Sequence, residues 1–149
     1  MDTRGKLSID PGTLAADSAE GEIEIVIPYT EWSVAEALLK RAPVLAAGLN
    51  ARLTLIAVHT VPYPADFECP TAVHAHLVDQ LVDLASHSQL PVTPHVVLAR
   101  SRDEGLSFAM KPQSVVLVGT RKHFWRTSEE SLARSLARDG HRVALVYVS

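Results

Sequence analysis

The feature of this chain that most limits its fold is the alternation of short apolar runs with longer amphipathic segments. Five runs are rich in Val, Ile, Leu and Ala, and they lie at residues 23–27, 52–61, 92–99, 114–118 and 142–148. Runs that are apolar almost throughout are typical of strands buried on both faces. The segments between them place apolar residues at helical spacing, so the sequence predicts repeated strand–helix–strand units around a parallel sheet.

A helix is predicted in each of the four intervals between these strands. The helices cover about residues 33–45, 71–85, 102–110 and 128–137. Ser33, followed three residues later by Glu36, is expected to cap the first of them. Because crossovers between parallel strands are right-handed, the result is a doubly wound sheet, and ligands of such sheets bind beyond the carboxyl ends of the strands. Those ends are residues 28–32, 59–61 and 119–121.

The 149 residues suit a single domain. Residues 1–20 mix Asp, Ser, Gly, Pro and Ala without periodicity, so we expect a flexible N-terminal tail before an α/β domain at residues 21–149. This N-terminal stretch has no apolar core of a secretory signal, and the single cysteine, Cys69, fits a reducing compartment. Cytoplasmic localisation is therefore the expectation.

The charge and composition argue against two classes of partner. A net charge of −3 and an aromatic content of 5% give nucleic acid neither a basic surface nor many stacking rings. No apolar run approaches the roughly 18–20 residues that a membrane-spanning helix needs. The chain is therefore expected neither to bind nucleic acid nor to insert directly into a membrane.

The sequence resembles the universal stress protein family at four places. These are the strand end Ile27-Pro28, residues 46–61 with their His59-Thr60-Val61, residues 114–121, and residues 140–146. In order, they resemble the family's first strand, the helix end with the second strand, the fourth strand with its loop, and the last loop with its strand. The resemblance implies a three-layer, doubly wound, Rossmann-like fold of the adenine-nucleotide alpha-hydrolase type, with a five-stranded parallel sheet in the order 3-2-1-4-5.

The resemblance also implies a nucleotide site, which this sequence carries in altered form. Family members that bind ATP have an Asp after the first strand, then Gly-x-x-Gly, a nine-residue spacer and Gly-Ser/Thr before the last helix. Here Thr30 stands at the Asp position, Gly119 keeps the first glycine and Lys122 replaces the second. The spacer is shorter, and no glycine precedes Thr127-Ser128. These departures predict a binding or regulatory module that is not a competent ATP binder and needs no cofactor.

A cationic loop after the fourth strand keeps nucleotide binding open as the alternative. Arg121, Lys122 and Arg126 can grip phosphates through their side chains in place of a glycine-rich backbone, with ATP or AMP as ligand and weak hydrolysis. The competing interpretation is a solvated loop whose charges pair with Glu129 and Glu130. The candidate contacts are Pro28, Tyr29, Thr30, Val58, His59, Gly119, Arg121, Lys122, Arg126, Thr127 and Ser128.

Other residues with functional chemistry give weaker signals. No set of nucleophile, base and orienting group can be assembled, so the sequence does not predict an enzyme. His74 and His76 lie two positions apart on a predicted helix and face different directions, so a shared metal ion is not expected. Phe124 and Trp125 either stack on a base, anchor a partner or fold back over the apolar mouth of the crevice.

The last strand, residues 142–148, predicts an interface if it forms the edge of the sheet. Its backbone groups are then unpaired, and the same strand of a second subunit can satisfy them through a two-fold axis. The family resemblance implies homodimers of this kind. Similar domains also occur appended to transporters and sensor kinases, which implies a regulatory partner of that type.

Overall fold

The computed structural model describes residues 7–8, 23–61, 72–121 and 128–148. Six strands and four helices lie within these ranges. In chain order they are β1 (Leu7–Ser8), β2 (Ile23–Pro28), α1 (Trp32–Leu45), β3 (Ala51–Thr60), α2 (Ala72–Ser86), β4 (Val92–Ala99), α3 (Arg102–Ala109), β5 (Val115–Arg121), α4 (Ser128–Arg138) and β6 (Arg142–Val148). The helices and strands predicted after residue 22 are all present.

The strands form one parallel sheet with the order β1-β6-β5-β2-β3-β4. Counted from β2, the five longer strands have the predicted order 3-2-1-4-5. Strand β2 lies at the centre, where Ile25 is in register with Leu53 of β3 on one side and Val115 of β5 on the other. The strand order therefore reverses between β2 and β5, and a ligand crevice is expected above this junction.

Helices cover both faces of the sheet, because alternate strand residues point to opposite sides. Ile25 and Ile27 belong to a core with α1 and α2, whereas Val26 belongs to a second core with α3 and α4. Burying a large aliphatic side chain contributes about 1.5–3 kcal/mol. The near-continuous apolar strands are thus explained by two cores that share one sheet, and the three-layer prediction is confirmed.

The N-terminal end of α1 differs from the prediction. The helix begins at Trp32, and Glu31 occupies the N-cap position without making a side-chain capping hydrogen bond. Ser33 therefore lies inside the first turn, and its hydroxyl donates to Glu31 Oε1 at 3.0 Å. The predicted cap at Ser33 is wrong by two positions, because its hydroxyl bonds to a neighbouring carboxylate instead of to the helix backbone.

The outer side of β6 has two partners within this chain. Leu7 and Ser8, which belong to the expected N-terminal tail, form β1 and lie in parallel register with Val143 and Ala144. Farther along β6, Arg41 Nη1 of α1 donates to the Tyr147 carbonyl oxygen at 2.6 Å. The edge strand is thus contacted near both of its ends by other parts of the molecule.

His141, which precedes β6, is a buried titratable residue. Only 7% of it is exposed, and its Nδ1 accepts a hydrogen bond of 3.1 Å from the Ser114 backbone N–H. An accepting Nδ1 requires a neutral imidazole that carries its proton on Nε2. Burial lowers the pKa of His141, and the nearby Asp139 carboxylate opposes this effect only in part.

This environment predicts that His141 weakens the fold in acid. Since its folded-state pKa lies below the unfolded value near ~6.5, the unfolded chain binds the proton first as the pH falls. The free energy of unfolding should then decrease below about pH 6.5, by at most about 1.4 kcal/mol per pH unit, until the folded protein is protonated too. In a His141→Asn variant, which keeps an acceptor near the Nδ1 position, urea unfolding at several pH values should show a shallower decrease.

Exposed His95 provides the control for this measurement. The His95→Asn variant measures the effect of the same substitution at an exposed position. Parallel profiles for wild type and His141→Asn would contradict the assignment.

Candidate functional site

The candidate site lies above the junction of β2 and β5, at the carboxyl ends of both strands. Pro28 ends β2 and is buried, and the backbone N–H of Tyr29 still donates to Ile56 of β3 at 2.7 Å. Tyr29 is half-buried, so burial, followed by the negative charge of Glu31, raises the pKa of its phenol. The neutral hydroxyl is therefore both a donor and an acceptor at this end of the sheet.

An ion pair bridges the two strand ends. Arg121, the last residue of β5, donates from Nε to Glu31 Oε1 at 3.1 Å, and its Nη2 also contacts the Ser33 hydroxyl. Ser33 in turn donates to the same carboxylate oxygen of Glu31. The Arg121 and Glu31 side chains are 43% and 51% exposed, so the pair is worth at most about 1 kcal/mol of stability. Its main effect is to place a carboxylate beside Arg121, the cation that the alternative interpretation assigns to phosphate binding.

Gly119 has a packing role that the sequence did not reveal. It lies inside β5, which continues to Arg121, instead of opening the predicted loop. A Cβ atom at this position would lie 2.8 Å from Val34 Cγ1 and 3.4 Å from Leu38 Cδ2, both on α1. The 3.4 Å contact is an ordinary one, but at 2.8 Å either Val34 or the backbone would have to shift, so the glycine allows α1 to lie close to β5. Both Gly119 and the following Thr120 are buried at this end of β5.

The remaining predicted contacts do not form one cluster. Thr30 is half-buried at the strand end. Val58 packs on the α3 and α4 side of the sheet, whereas the next residue, His59, contacts α2 on the other side. Ser128 starts α4, and its hydroxyl donates to the adjacent Glu129 at 3.0 Å. Lys122, Arg126 and Thr127 lie outside the described residues, as do Cys69, Phe124 and Trp125.

Sequence reasoning missed Glu31 and Ser33 as partners of Arg121. It assigned the loop charges to Glu129 and Glu130, which do occupy the first turn of α4 as predicted. The available signal was the position of Glu31, three residues after the strand that lies beside β5. A charged residue just beyond β2 is well placed to meet one at the end of β5.

Two histidines meet at the carboxyl end of β3. His59 Nδ1 and His74 Nδ1 are 3.4 Å apart, and the ring centroids are 5.5 Å apart with an angle of 25° between the ring planes. His74 therefore faces β3, whereas His76 on the same helix is exposed. Within the described ranges, no group of three or more His, Cys, Asp or Glu side chains is arranged to hold a metal ion.

A cavity of about 280 Å³ with a mixed polar and apolar lining lies toward the opposite end of the sheet. Its floor includes Val26 and Ile56 of the second core, and its wall includes Glu24. The Glu24 carboxylate is 3.6 Å from Arg52 Nη2 and accepts a hydrogen bond of 3.2 Å from Thr54. These groups largely satisfy one another, and the cavity is at the amino ends of the strands, away from the junction crevice.

Comparisons with known proteins assign the chain to no family. No protein-family model matches it, and a search of curated proteins finds no match. Among the helices in the described part of the chain, none has the length and apolar character needed to cross a bilayer. The geometry of the site is therefore the basis for a functional proposal.

Proposed function

We propose that this chain is a regulatory binding domain of the universal stress protein type that acts through protein contacts and not through ATP. The observation that carries the proposal is the Arg121–Glu31–Ser33 cluster across the junction of β2 and β5. Phosphate sites in such crevices need free donors and a positive field. In this chain the cation at the end of β5 contacts a carboxylate, which repels an approaching phosphate.

The role of Gly119 supports the same proposal. In a phosphate-binding loop, glycine allows backbone N–H groups to approach the ligand. Here the missing side chain accommodates Val34 of α1, below the crevice. Close packing against Val34 therefore explains why glycine occupies this position, and nucleotide binding is not required to explain it.

The second candidate function is binding of ATP or AMP, and the exposure of Arg121 favours it. Because the pair with Glu31 is partly solvated and weak, Arg121 can exchange its carboxylate partner for a phosphate. The distinguishing variable is Glu31. If phosphates compete with Glu31 for Arg121, removal of the Glu31 charge should strengthen nucleotide binding.

Thermal unfolding with millimolar ATP, AMP or a cyclic dinucleotide tests the two candidates. We expect no shift for wild type, Glu31→Gln or the control Glu36→Gln, which removes a charge elsewhere on α1. A ligand at about 100 times its Kd would add about 2.7 kcal/mol, which is readily measured. A nucleotide-dependent shift that increases in Glu31→Gln and disappears in Arg121→Ala would overturn the first proposal and establish the second.

The proposed contacts include a homodimer through β6. An edge strand offers backbone groups to a second subunit. In the monomer, however, β1 and Arg41 already contact this edge, so backbone pairing of two copies requires their displacement. Sedimentation equilibrium should therefore show tighter dimers for Arg41→Ala than for the neighbouring Lys40→Ala variant, and equal dimerisation would argue against an interface at this part of β6.

A further inference from the structure

We propose that His59 and His74 form a binding site for a divalent transition-metal ion, with zinc as the representative probe. The site is separate from the Arg121 cluster and does not depend on the proposed regulatory function. It lies where the carboxyl end of β3 meets the first turn of α2. Imidazole nitrogen is a preferred ligand of zinc, copper and nickel.

The distance between the two nitrogens is the main observation. Tetrahedral zinc binds imidazole nitrogen at about 2.0–2.1 Å, which places two such ligands roughly 3.4 Å apart. His59 Nδ1 and His74 Nδ1 are separated by 3.4 Å. The ring centroids are 5.5 Å apart, so the two nitrogens lie between the rings and face each other. The pair therefore has the spacing of adjacent ligands on one ion.

Both histidines are carried by regular structure and are only half-buried. His59 pairs in register with Leu98 of β4, and α2 is anchored by the fully buried Leu81 and Leu84. Ligands on rigid elements keep their separation without a loop having to become ordered. Partial exposure leaves room for water at the other coordination positions of the ion. A site of this kind exchanges its metal more readily than a closed structural site.

The metal-free pair is explained by the same geometry. One imidazole donates its Nδ1–H to the Nδ1 of the other, which requires opposite tautomers of the two rings. A divalent ion takes the place of that single proton, which moves to the Nε2 of the same ring, so both rings bind the ion through Nδ1 as neutral imidazoles. The proposal thus predicts binding by both histidines together, in contrast to weak adsorption at isolated surface histidines.

Titration of the full chain with Zn²⁺ against a chromogenic chelator tests the site. We expect one zinc per chain. Either His59→Ala or His74→Ala should lower the affinity by at least about 10–100-fold, which is the usual loss when a residue that only orients a metal ligand is removed. His76→Ala is the matched control, because it removes an exposed imidazole from the same helix and should leave binding unchanged. Mg²⁺ should not compete, since it prefers oxygen ligands.

Two further measurements distinguish loss of zinc binding from loss of folding in the variants. Circular dichroism and urea unfolding establish that His59→Ala, His74→Ala and a milder His74→Gln variant are folded. In wild type, histidine ring resonances observed by NMR should shift for His59 and His74 on adding Zn²⁺, and not for His76. Absence of zinc binding at millimolar concentration, or an equal loss of binding in His76→Ala, would overturn the proposal.

Discussion

Replacing Gly119 by alanine is expected to lower the free energy of unfolding by about 1–3 kcal/mol, the usual range for overpacking a core. The added Cβ would lie 2.8 Å from Val34 Cγ1, and Val34 is itself 3% exposed. Valine in a helix strongly prefers one rotamer, so the methyl group cannot turn away at low cost. Urea unfolding measures the loss, and for a chain of this size each kcal/mol shifts Tm by about 2–4 °C.

The control for Gly119→Ala is the double variant with Val34→Ala. Removing the Val34 methyl groups makes room for the new Cβ, so the two substitutions should be less destabilising together than the sum of their separate effects. A coupling energy near zero would contradict the packing explanation. A Gly119→Ala variant that loses nucleotide binding at unchanged stability would instead assign this glycine to a phosphate site.

Replacing Gly105 by alanine should destabilise the protein by up to about 2 kcal/mol, the cost of overpacking less the gain in helix propensity, although Gly105 lies within α3. Alanine is favoured over glycine in helices by roughly 1 kcal/mol. Here the new Cβ would lie 2.6 and 2.7 Å from the two methyl groups of Val58, and 3.2 Å from Ala99 Cβ. Since both methyl groups of Val58 are involved, rotation of its side chain still leaves one in the way. The steric term therefore exceeds the gain in helix propensity.

Ser107→Ala provides the matched control for Gly105→Ala. Ser107 is exposed on the same helix, so alanine there should leave stability unchanged or raise it slightly. Val58→Ala should relieve part of the effect of Gly105→Ala by opening space between α3 and β3. An equally stable or more stable Gly105→Ala variant would show that α3 does not lie this close to the sheet.

The sequence predicts most of this architecture because apolar periodicity reports burial directly. Residues 23–27 and 142–148 contain almost no polar positions, and both became strands covered on two sides. Strand β5 extends to Arg121, three residues beyond its predicted end at Val118, because pairing continues to Val148 of β6. A local pattern could not reveal this extension, since glycine is depleted in strands and Gly119 therefore resembles the start of a loop.

The candidate site was harder to predict because its contacts join residues distant in sequence. Arg121 contacts Glu31 because β5 and β2 are neighbours in the sheet. In the sequence, Glu129 and Glu130 are closer to Arg121, and the local pattern therefore predicts them as its partners. The same holds for His74, which was compared with His76 on its own helix and contacts His59 of β3 instead. Side-chain pairing of this kind follows from the arrangement of the strands and not from local spacing.

The pairing of β1 with β6 has a consequence for the order in which the strands join the sheet. Leu7 and Ser8 lie 136 positions before their partners Val143 and Ala144 in the chain. Closing a loop of nearly the whole chain precedes any gain from this contact. We therefore expect β1 to cover the outer side of β6 only after β6 has itself joined the sheet. Until β1 pairs, a folding chain leaves this part of β6 open to strand pairing with a second copy.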